Sequence, residues 1–448
     1  MKHVYIKTFG CQMNVYDSNR IADALKQLGY HPTDKKEEAD ILLLNTCHIR
    51  EKAADKLFSE VGRLNEIKKQ RATQGLDTLI IVAGCVVQAQ GKEIFQKNHA
   101  IDLAVGPQSY HQLPQMIAQY LRAHKRLIEA DFPAISKFDS LPKTTHSSVS
   151  TFLAIQEGCD NFCSYCVVPY TRGCEYSRSL PEIMEEARAL VQNGAKEIML
   201  LGQNVNCWHG LDNLGKNEMD LGDLIYEVSK INGLERIRYT TSYPSKITDN
   251  LIQAHRDIEK LMPYIHLPIQ AGSNTILKTM NRQYTVDGYL DIIQKFRSVR
   301  PDIAISSDFI VGFPGETDAD FEETLAVAQR VQYAQSYSFK YSPRPGTPAA
   351  LMKNQIAESV KKERLAILQD LLLNQQKAFN QRFIGQTIPV LFTEKGTKSG
   401  QWMGWTPYMQ NTHVSATTSL IGQILPVKIT AATASSLSGE LISDIINT

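Results

Sequence analysis

The chain has 448 residues, 43% hydrophobic and 21% charged, with 48 basic and 47 acidic side chains. That length exceeds one comfortable core and implies two to four domains. A net charge of +1 excludes a globally basic nucleic-acid binder, so any RNA-binding surface has to be local. No run approaches the roughly 18 apolar residues of a membrane span. The opening Met1-Lys-His-Val-Tyr-Ile-Lys7 goes straight into a strand pattern, without the apolar core of a signal peptide. Together these point to a cytoplasmic protein with no membrane partner. Its eight cysteines are then ligands or core residues rather than disulfides.

In chain order, the first 120 or so residues alternate strand and helix signals. Val4 to Gly10 is strand-like, and Ser18 to Leu28 reads as a helix with Ile21, Ala22, Leu25 and Leu28 on one face and Gly29 past its end. Apolar runs follow at Ile41 to Asn45, Thr78 to Ala83 and Ile101 to Val105, as expected of βαβ units around a buried parallel sheet. Residues 125–145, with Lys125, Arg126, Pro133 and Pro142, lose periodicity and read as a linker. Six further strand-like runs occupy 152–157, 197–202, 236–242, 264–270, 303–311 and 335–342, most of them separated by helical patterns such as Pro181 to Val191 and Phe321 to Val331. Six βα units fit an incomplete (β/α)6 barrel. A long helical pattern over 359–383 precedes a period-two stretch from Thr387 that suggests a small antiparallel β-barrel. The fold class is α/β with an N-terminal parallel sheet, and the expected domains are 1–120, 145–377 and 380–443.

Two cysteine sets carry the chemistry. Cys159, Cys163 and Cys166 form a CxxxCxxC loop after the first central strand. A fully ligated iron–sulfur cube takes four thiolates, so three leave one iron open for a substrate or cofactor. A zinc knuckle completed by Cys174 is the competing reading. Cys11, Cys47 and Cys85 each follow one of the first sheet's strands. Ligand sites of open parallel sheets lie beyond the carboxyl ends of strands, so these thiols should converge on a second three-thiolate cluster; three buried core cysteines are the alternative. Tyr165 lies inside the loop, and Gln203 and Asn204 end the second central strand, where they can reach a cofactor. Gly312, Pro314 and Gly315 suit a tight turn ahead of Glu316. Arg50, Lys52, Lys56 and Arg63 fall on a predicted helix after Cys47 and could track RNA phosphates.

Several stretches carry a resemblance to a known family: Thr8-Phe-Gly-Cys-Gln-Met-Asn14, Asn45-Thr-Cys-His-Ile-Arg-Glu-Lys-Ala53, Gly84-Cys85, Gln156-Glu-Gly-Cys-Asp-Asn-Phe-Cys-Ser-Tyr-Cys-Val-Val-Pro-Tyr-Thr-Arg-Gly173, Leu201-Gly-Gln-Asn-Val-Asn206, His266-Leu-Pro-Ile-Gln-Ala-Gly-Ser273, Asp308-Phe-Ile-Val-Gly-Phe-Pro-Gly-Glu316 and Tyr341-Ser-Pro-Arg-Pro-Gly-Thr347. Across nearly the whole chain these resemble the radical S-adenosylmethionine methylthiotransferases, and among them those acting on N6-isopentenyladenosine of tRNA. The resemblance implies a TIM-like radical-SAM barrel in the centre and a TRAM domain at the C-terminus. It implies two 4Fe-4S clusters: one on Cys159, Cys163 and Cys166 that binds S-adenosyl-L-methionine, and an auxiliary one on Cys11, Cys47 and Cys85 involved in sulfur supply. The implied reaction is methylthiolation at C2 of N6-(dimethylallyl)adenosine at position 37, with one S-adenosylmethionine cleaved to a radical and a second giving the methyl. The implied partners are the tRNA anticodon stem-loop and a cytoplasmic electron donor, with the enzyme a monomer. A sister activity on N6-threonylcarbamoyladenosine, or a non-catalytic iron–sulfur RNA-binding protein, are the competing readings. One departure is Gly404-Trp405-Thr406, where the family's small barrel often carries Gly-Arg-Ser/Thr; Trp405 could stack on a base instead.

Overall fold

The structure, a computed structural model, describes residues 1–47, 53–132, 137–212 and 214–442, the side chains of 53–55 excepted. The chain forms two compact units. Met1–His146, Glu157–Asp160 and Val167–Arg178 make the first, and Ser147–Gln156, Asn161–Cys166 and Ser179–Thr448 the second.

In the first unit six strands pair in parallel: β1 (Lys2–Thr8), β2 (Tyr30–Pro32), β3 (Ile41–Thr46), β4 (Leu79–Gly84), β5 (Leu103–Val105) and β6 (Leu127–Glu129), in the order β2-β1-β3-β4-β5-β6. The continuous apolar runs of β3 and β4 follow from coverage of both faces. Leu43 and Ile81 pack with Ile21 and Leu25 of α1 (Gln12–Lys26), while Leu42, Leu44, Ile80 and Val82 pack with Leu57, Val61 and Leu64 of α2 (Ala53–Ala72).

Two expectations shift here. Helix α1 begins at Gln12, with Cys11 at its N-cap, rather than at Ser18. Its first turns are polar yet buried (Asn14, Asp17 and Ser18), so no apolar stripe marks them. The stretch 125–145 is not simply a linker: it contributes β6 to the sheet, and Lys137 within it is fully buried.

The second unit holds the six expected strands: β7 (Ser150–Ala154), β8 (Glu197–Leu201), β9 (Arg236–Tyr239), β10 (Tyr264–His266), β11 (Ala304–Val311) and β12 (Gln335–Lys340). They pair in parallel as β9-β8-β7 and β10-β11-β12. A single bridge from Ile237 to Leu261 and the Ser242 N–H on the His266 carbonyl (3.1 Å) join the two groups into an open six-stranded barrel. Alternation along β11 puts Ile305, Ser307, Phe309 and Val311 on one face, the three apolar ones in the core beneath the helices, and Ala304, Ser306, Asp308 and Ile310 on the other. The long helix Glu358–Gln381 leads into a closed five-stranded barrel over residues 387–441. Its pairs are antiparallel except Asn411–Ser415 with Leu437–Leu441, which run parallel.

Two buried arginines of β9 fasten this barrel. Arg236 donates to the carbonyls of Trp405 (2.7 Å) and Pro389 (2.8 Å), and Arg238 to those of Thr406 (2.7 Å) and Pro407 (2.8 Å). Glu197 holds Arg238 at 2.8 Å. The backbone of Trp405 therefore belongs to the seam with the central strands.

Behind β9, His255 is fully buried against Phe296, with Nε2 2.7 Å from the Tyr239 hydroxyl. Burial first, and then the Arg300 charge, push its pKa from 6.5 down to about 3. The unfolded chain takes up this proton near pH 6.5 and the folded chain does not until about pH 3, so this contribution to stability is complete above 6.5 and lost as pH falls below it. Urea unfolding should thus show stability declining from pH 7 to pH 5, with a smaller decline in His255→Gln; equal pH dependence in the two proteins would disprove the assignment.

Candidate active site

Register brings the strand-end cysteines together. Thr46 pairs with Gly84 and Thr8 with Asn45, so Cys47 and Cys85 leave adjacent strands at the same level and Cys11 follows β1 by three residues. Two glycines make the approach possible. Gly10 has φ +124° and a Cβ there would collide with the Cys47 Cβ; Gly84 has φ +98° and a Cβ there would strike the Thr46 carbonyl. Cys85 opens a short helix, Cys85–Gln90, and Cys11 caps α1, whose N-terminal dipole favours thiolate.

The Cys11 and Cys47 side chains are hydrogen-bonded to each other. That bond holds the Cys11 thiol down to about 6, against burial, with help from the Arg172 charge. Burial raises Cys85, and the Arg172 charge offsets part of that rise. Cys11 Sγ also lies 3.3 Å from Asn14 Oδ1. Asn14 is in turn fixed by Asn45, whose Nδ2 donates to the Asn14 carbonyl (2.8 Å) and to Ser18 Oγ (3.0 Å).

Cys159 lies in the first unit, its amide donating to the Gly173 carbonyl at 3.2 Å. Cys163 and Cys166 lie in the second, where the Cys166 amide donates to the Cys163 carbonyl (2.9 Å). Ser164 ties this segment down: its amide reaches the Met280 carbonyl (3.0 Å), its hydroxyl the Thr279 carbonyl (2.9 Å), and its carbonyl accepts from Ala349 (2.8 Å). Arg282 Nη1 is 3.6 Å from Cys163 Sγ, while its other nitrogens reach the Tyr284 hydroxyl (2.7 Å) and the Pro268 carbonyl (2.9 Å).

Tyr165 packs edge-on against Phe313, ring centroids 6.4 Å apart, over a small core of Ala271, Met280 and Tyr341. Gln203 and Asn204 sit in a turn held by Gln156, whose Oε1 accepts from both of their amides (2.9 and 3.3 Å). The turn at Gly312 is structural: Glu316 accepts from the Gly312 amide (2.7 Å) and from Arg364 (2.6 Å). Lys56 and Arg63 are exposed on α2, Arg63 with an ion pair to Glu60 (3.0 Å); Arg50 and Lys52 lie outside the described residues.

Cys11, Cys47 and Cys85, all in one unit, fit a thiolate-bound cluster, and Cys159, Cys163 and Cys166 offer the same donor type as free thiols. An anionic cluster is stabilised by N–H donors and cations at its sulfurs, and each set has an arginine there: Arg172 at Cys85 and Arg282 at Cys163. Among the described residues no three His, Cys, Asp or Glu side chains close on a single ion; in a cube each thiolate holds a different iron. Sequence reasoning missed Arg282, Arg172 and Gln156. Arg172 and Gln156 flank the cysteine loop inside one matched stretch, and that placement was the available signal; Arg282 had none.

Residues 3–106 match the uncharacterized protein family UPF0004, 153–328 the Radical SAM superfamily and 381–442 the TRAM domain. The tRNA-2-methylthio-N(6)-dimethylallyladenosine synthase of Rickettsia rickettsii (strain Sheila Smith) is 53% identical over 444 residues, spanning 98% of this chain and 100% of that one. The enzyme of the same name from Maricaulis maris (strain MCS10) is 54% identical over 444 residues, 98% of this chain and 97% of that one. Among solved structures, the radical S-adenosylmethionine methyltransferase TsrM from Kitasatospora setae, with cobalamin and a 4Fe-4S cluster bound, shares the fold: TM-score 0.57 at 13% identity, over 78% of this chain and 77% of that one. Fold and cysteine loop together define a radical S-adenosylmethionine enzyme. At such identity and coverage the chain belongs to the family of tRNA-2-methylthio-N(6)-dimethylallyladenosine synthases, which are tRNA methylthiotransferases using S-adenosylmethionine and 4Fe-4S clusters.

Gly10→Ala should displace Cys47 and cost one of two clusters. Iron in the reconstituted protein should fall from about eight to about four per chain, read by colorimetric iron assay; a full complement would show that the close approach is not needed.

Proposed function

We propose that this chain methylthiolates C2 of N6-dimethylallyladenosine at position 37 of tRNA, beside the anticodon. Cys159, Cys163 and Cys166 hold the cluster that binds S-adenosylmethionine, and Cys11, Cys47 and Cys85 hold the auxiliary one. The carrying observation is that both three-cysteine sets stand in a chain 53% identical over nearly its whole length to enzymes named for that product. When bound, the clusters supply the electron that cleaves S-adenosylmethionine and the sulfur that is transferred.

The chain's own residues position and shield these groups. Gln156 fixes the turn that presents Gln203 and Asn204 for cofactor contact. Tyr165, its ring set by Phe313, forms an apolar wall against which an adenine can rest. Arg282 donates toward Cys163 and keeps its thiolate oriented. Gly10 and Gly84 let three thiols approach without backbone between them. The C-terminal barrel and exposed cations such as Lys56 bind the RNA locally, in keeping with a chain of net charge +1. An adenosine in a loop is already partly unstacked, so extruding it costs little. A cytoplasmic electron donor and a monomeric enzyme complete the reading, with domain limits at 1–120, 145–377 and 380–443. No helix among the described residues is long and apolar enough to cross a membrane.

Single substitutions separate the two cysteine sets. Cys163→Ala should abolish 5′-deoxyadenosine formation. Cys47→Ala should form 5′-deoxyadenosine yet leave tRNA without the methylthio group; normal product from Cys47→Ala would refute the auxiliary role.

A further inference from the structure

Residues Val168–Arg172 form a short helix, α3, in the first unit, and its last side chain is 4% exposed. The Arg172 guanidinium is gripped on two sides: Nη2 donates to Asp17 Oδ2 at 2.7 Å and Nη1 to Glu157 Oε1. Lys137, fully buried, reaches the same carboxylates at 2.8 Å (Glu157 Oε1) and 3.3 Å (Asp17 Oδ1), and the Pro107 carbonyl at 2.9 Å. Two cations and two carboxylates thus balance without any thiolate.

Four buried ionic groups are an expensive way to gain stability, since desolvation consumes most of their attraction. Their placement is more informative. The helix opened by Cys85 packs against α3, and the guanidinium charge bears on the Cys85 thiol. Arg172 Nη2 is 3.5 Å from Asn14 Oδ1, the atom that meets Cys11 Sγ. The carboxylates prevent the arginine from swinging away, and Lys137 offsets their charge so that the arginine's own charge remains effective at the sulfurs. A fixed cation beside the sulfurs favours the more negative, reduced form of a cluster.

We propose that Arg172 is a positioning residue for the auxiliary centre: clamped by Asp17 and Glu157, it holds a fixed positive charge beside the thiols and raises the reduction potential of the cluster held by Cys11, Cys47 and Cys85. This rests on the reading of those cysteines given under the proposed function. Lysine would keep the charge but lose the fork that lets one group grip two carboxylates at once.

The test is a potentiometric titration followed by electron paramagnetic resonance in a Cys159→Ala, Cys163→Ala, Cys166→Ala background, where only the auxiliary cluster loads. Arg172→Gln should move the midpoint to more negative potential with iron still at about four per chain, and Arg172→Lys should move it less in the same direction. An unmoved midpoint in Arg172→Gln overturns the proposal. Should Arg172→Gln fail to load, Arg172→Lys decides alone: a negative shift supports the role, and the parent value overturns it. A background protein that binds no iron overturns the cysteine assignment itself and the proposal with it; the wave is then absent rather than unmoved.

Discussion

Parallel pairing of β1, β3 and β4 in strict register is the constraint on which the first unit's chemistry depends. Cys11, Cys47 and Cys85 are far apart in the chain and share no local motif. They meet because each leaves the same edge of one sheet, at the end where connections turn back toward helices. A slip of one residue along β3 would turn Leu42 and Leu44 to the wrong face, away from α2, and would carry Cys47 with it. The apolar packing of the sheet therefore fixes the thiol geometry, and the positive-φ glycines at positions 10 and 84 admit the last ångströms of approach.

Around that edge the fold gives up ordinary burial rules. Asn14, Asp17, Asn45, Glu157, Lys137 and Arg172 are all buried, where apolar side chains would cost less. They are tolerated because they bond to one another and to the thiols. The second unit behaves differently. Its turns are held by single side chains such as Gln156 and Glu316, and Arg282, beside Cys163, stacks on Tyr243 and Tyr284.

The sequence pattern made the six central strands, the long helix before the last barrel and both cysteine sets readable, because each rests on local periodicity or spacing. The start of α1 was hidden: Asn14, Asp17 and Ser18 look like a solvated turn, and they are buried only because Arg172 and Asn45 meet them from distant parts of the chain. Strand β6 is three residues long, and its pairing depends on β5 rather than on any pattern of its own. Lys137 reads as a surface lysine until Asp17 and Glu157 are placed beside it. Trp405, a candidate for base stacking from sequence, has its carbonyl taken by Arg236, a contact that no reading of the small barrel alone could supply. In each case the missing information was a partner distant in sequence.

The central claim is that two three-thiolate clusters serve one product, the methylthio derivative of N6-dimethylallyladenosine. Mass spectrometry of nucleosides from the tRNA of cells lacking this chain tests it most directly. The account predicts that 2-methylthio-N6-dimethylallyladenosine disappears while N6-dimethylallyladenosine accumulates, and that the wild-type chain restores the product but Cys47→Ala does not. An unchanged level of that nucleoside, with loss instead of the methylthio derivative of N6-threonylcarbamoyladenosine, would contradict it.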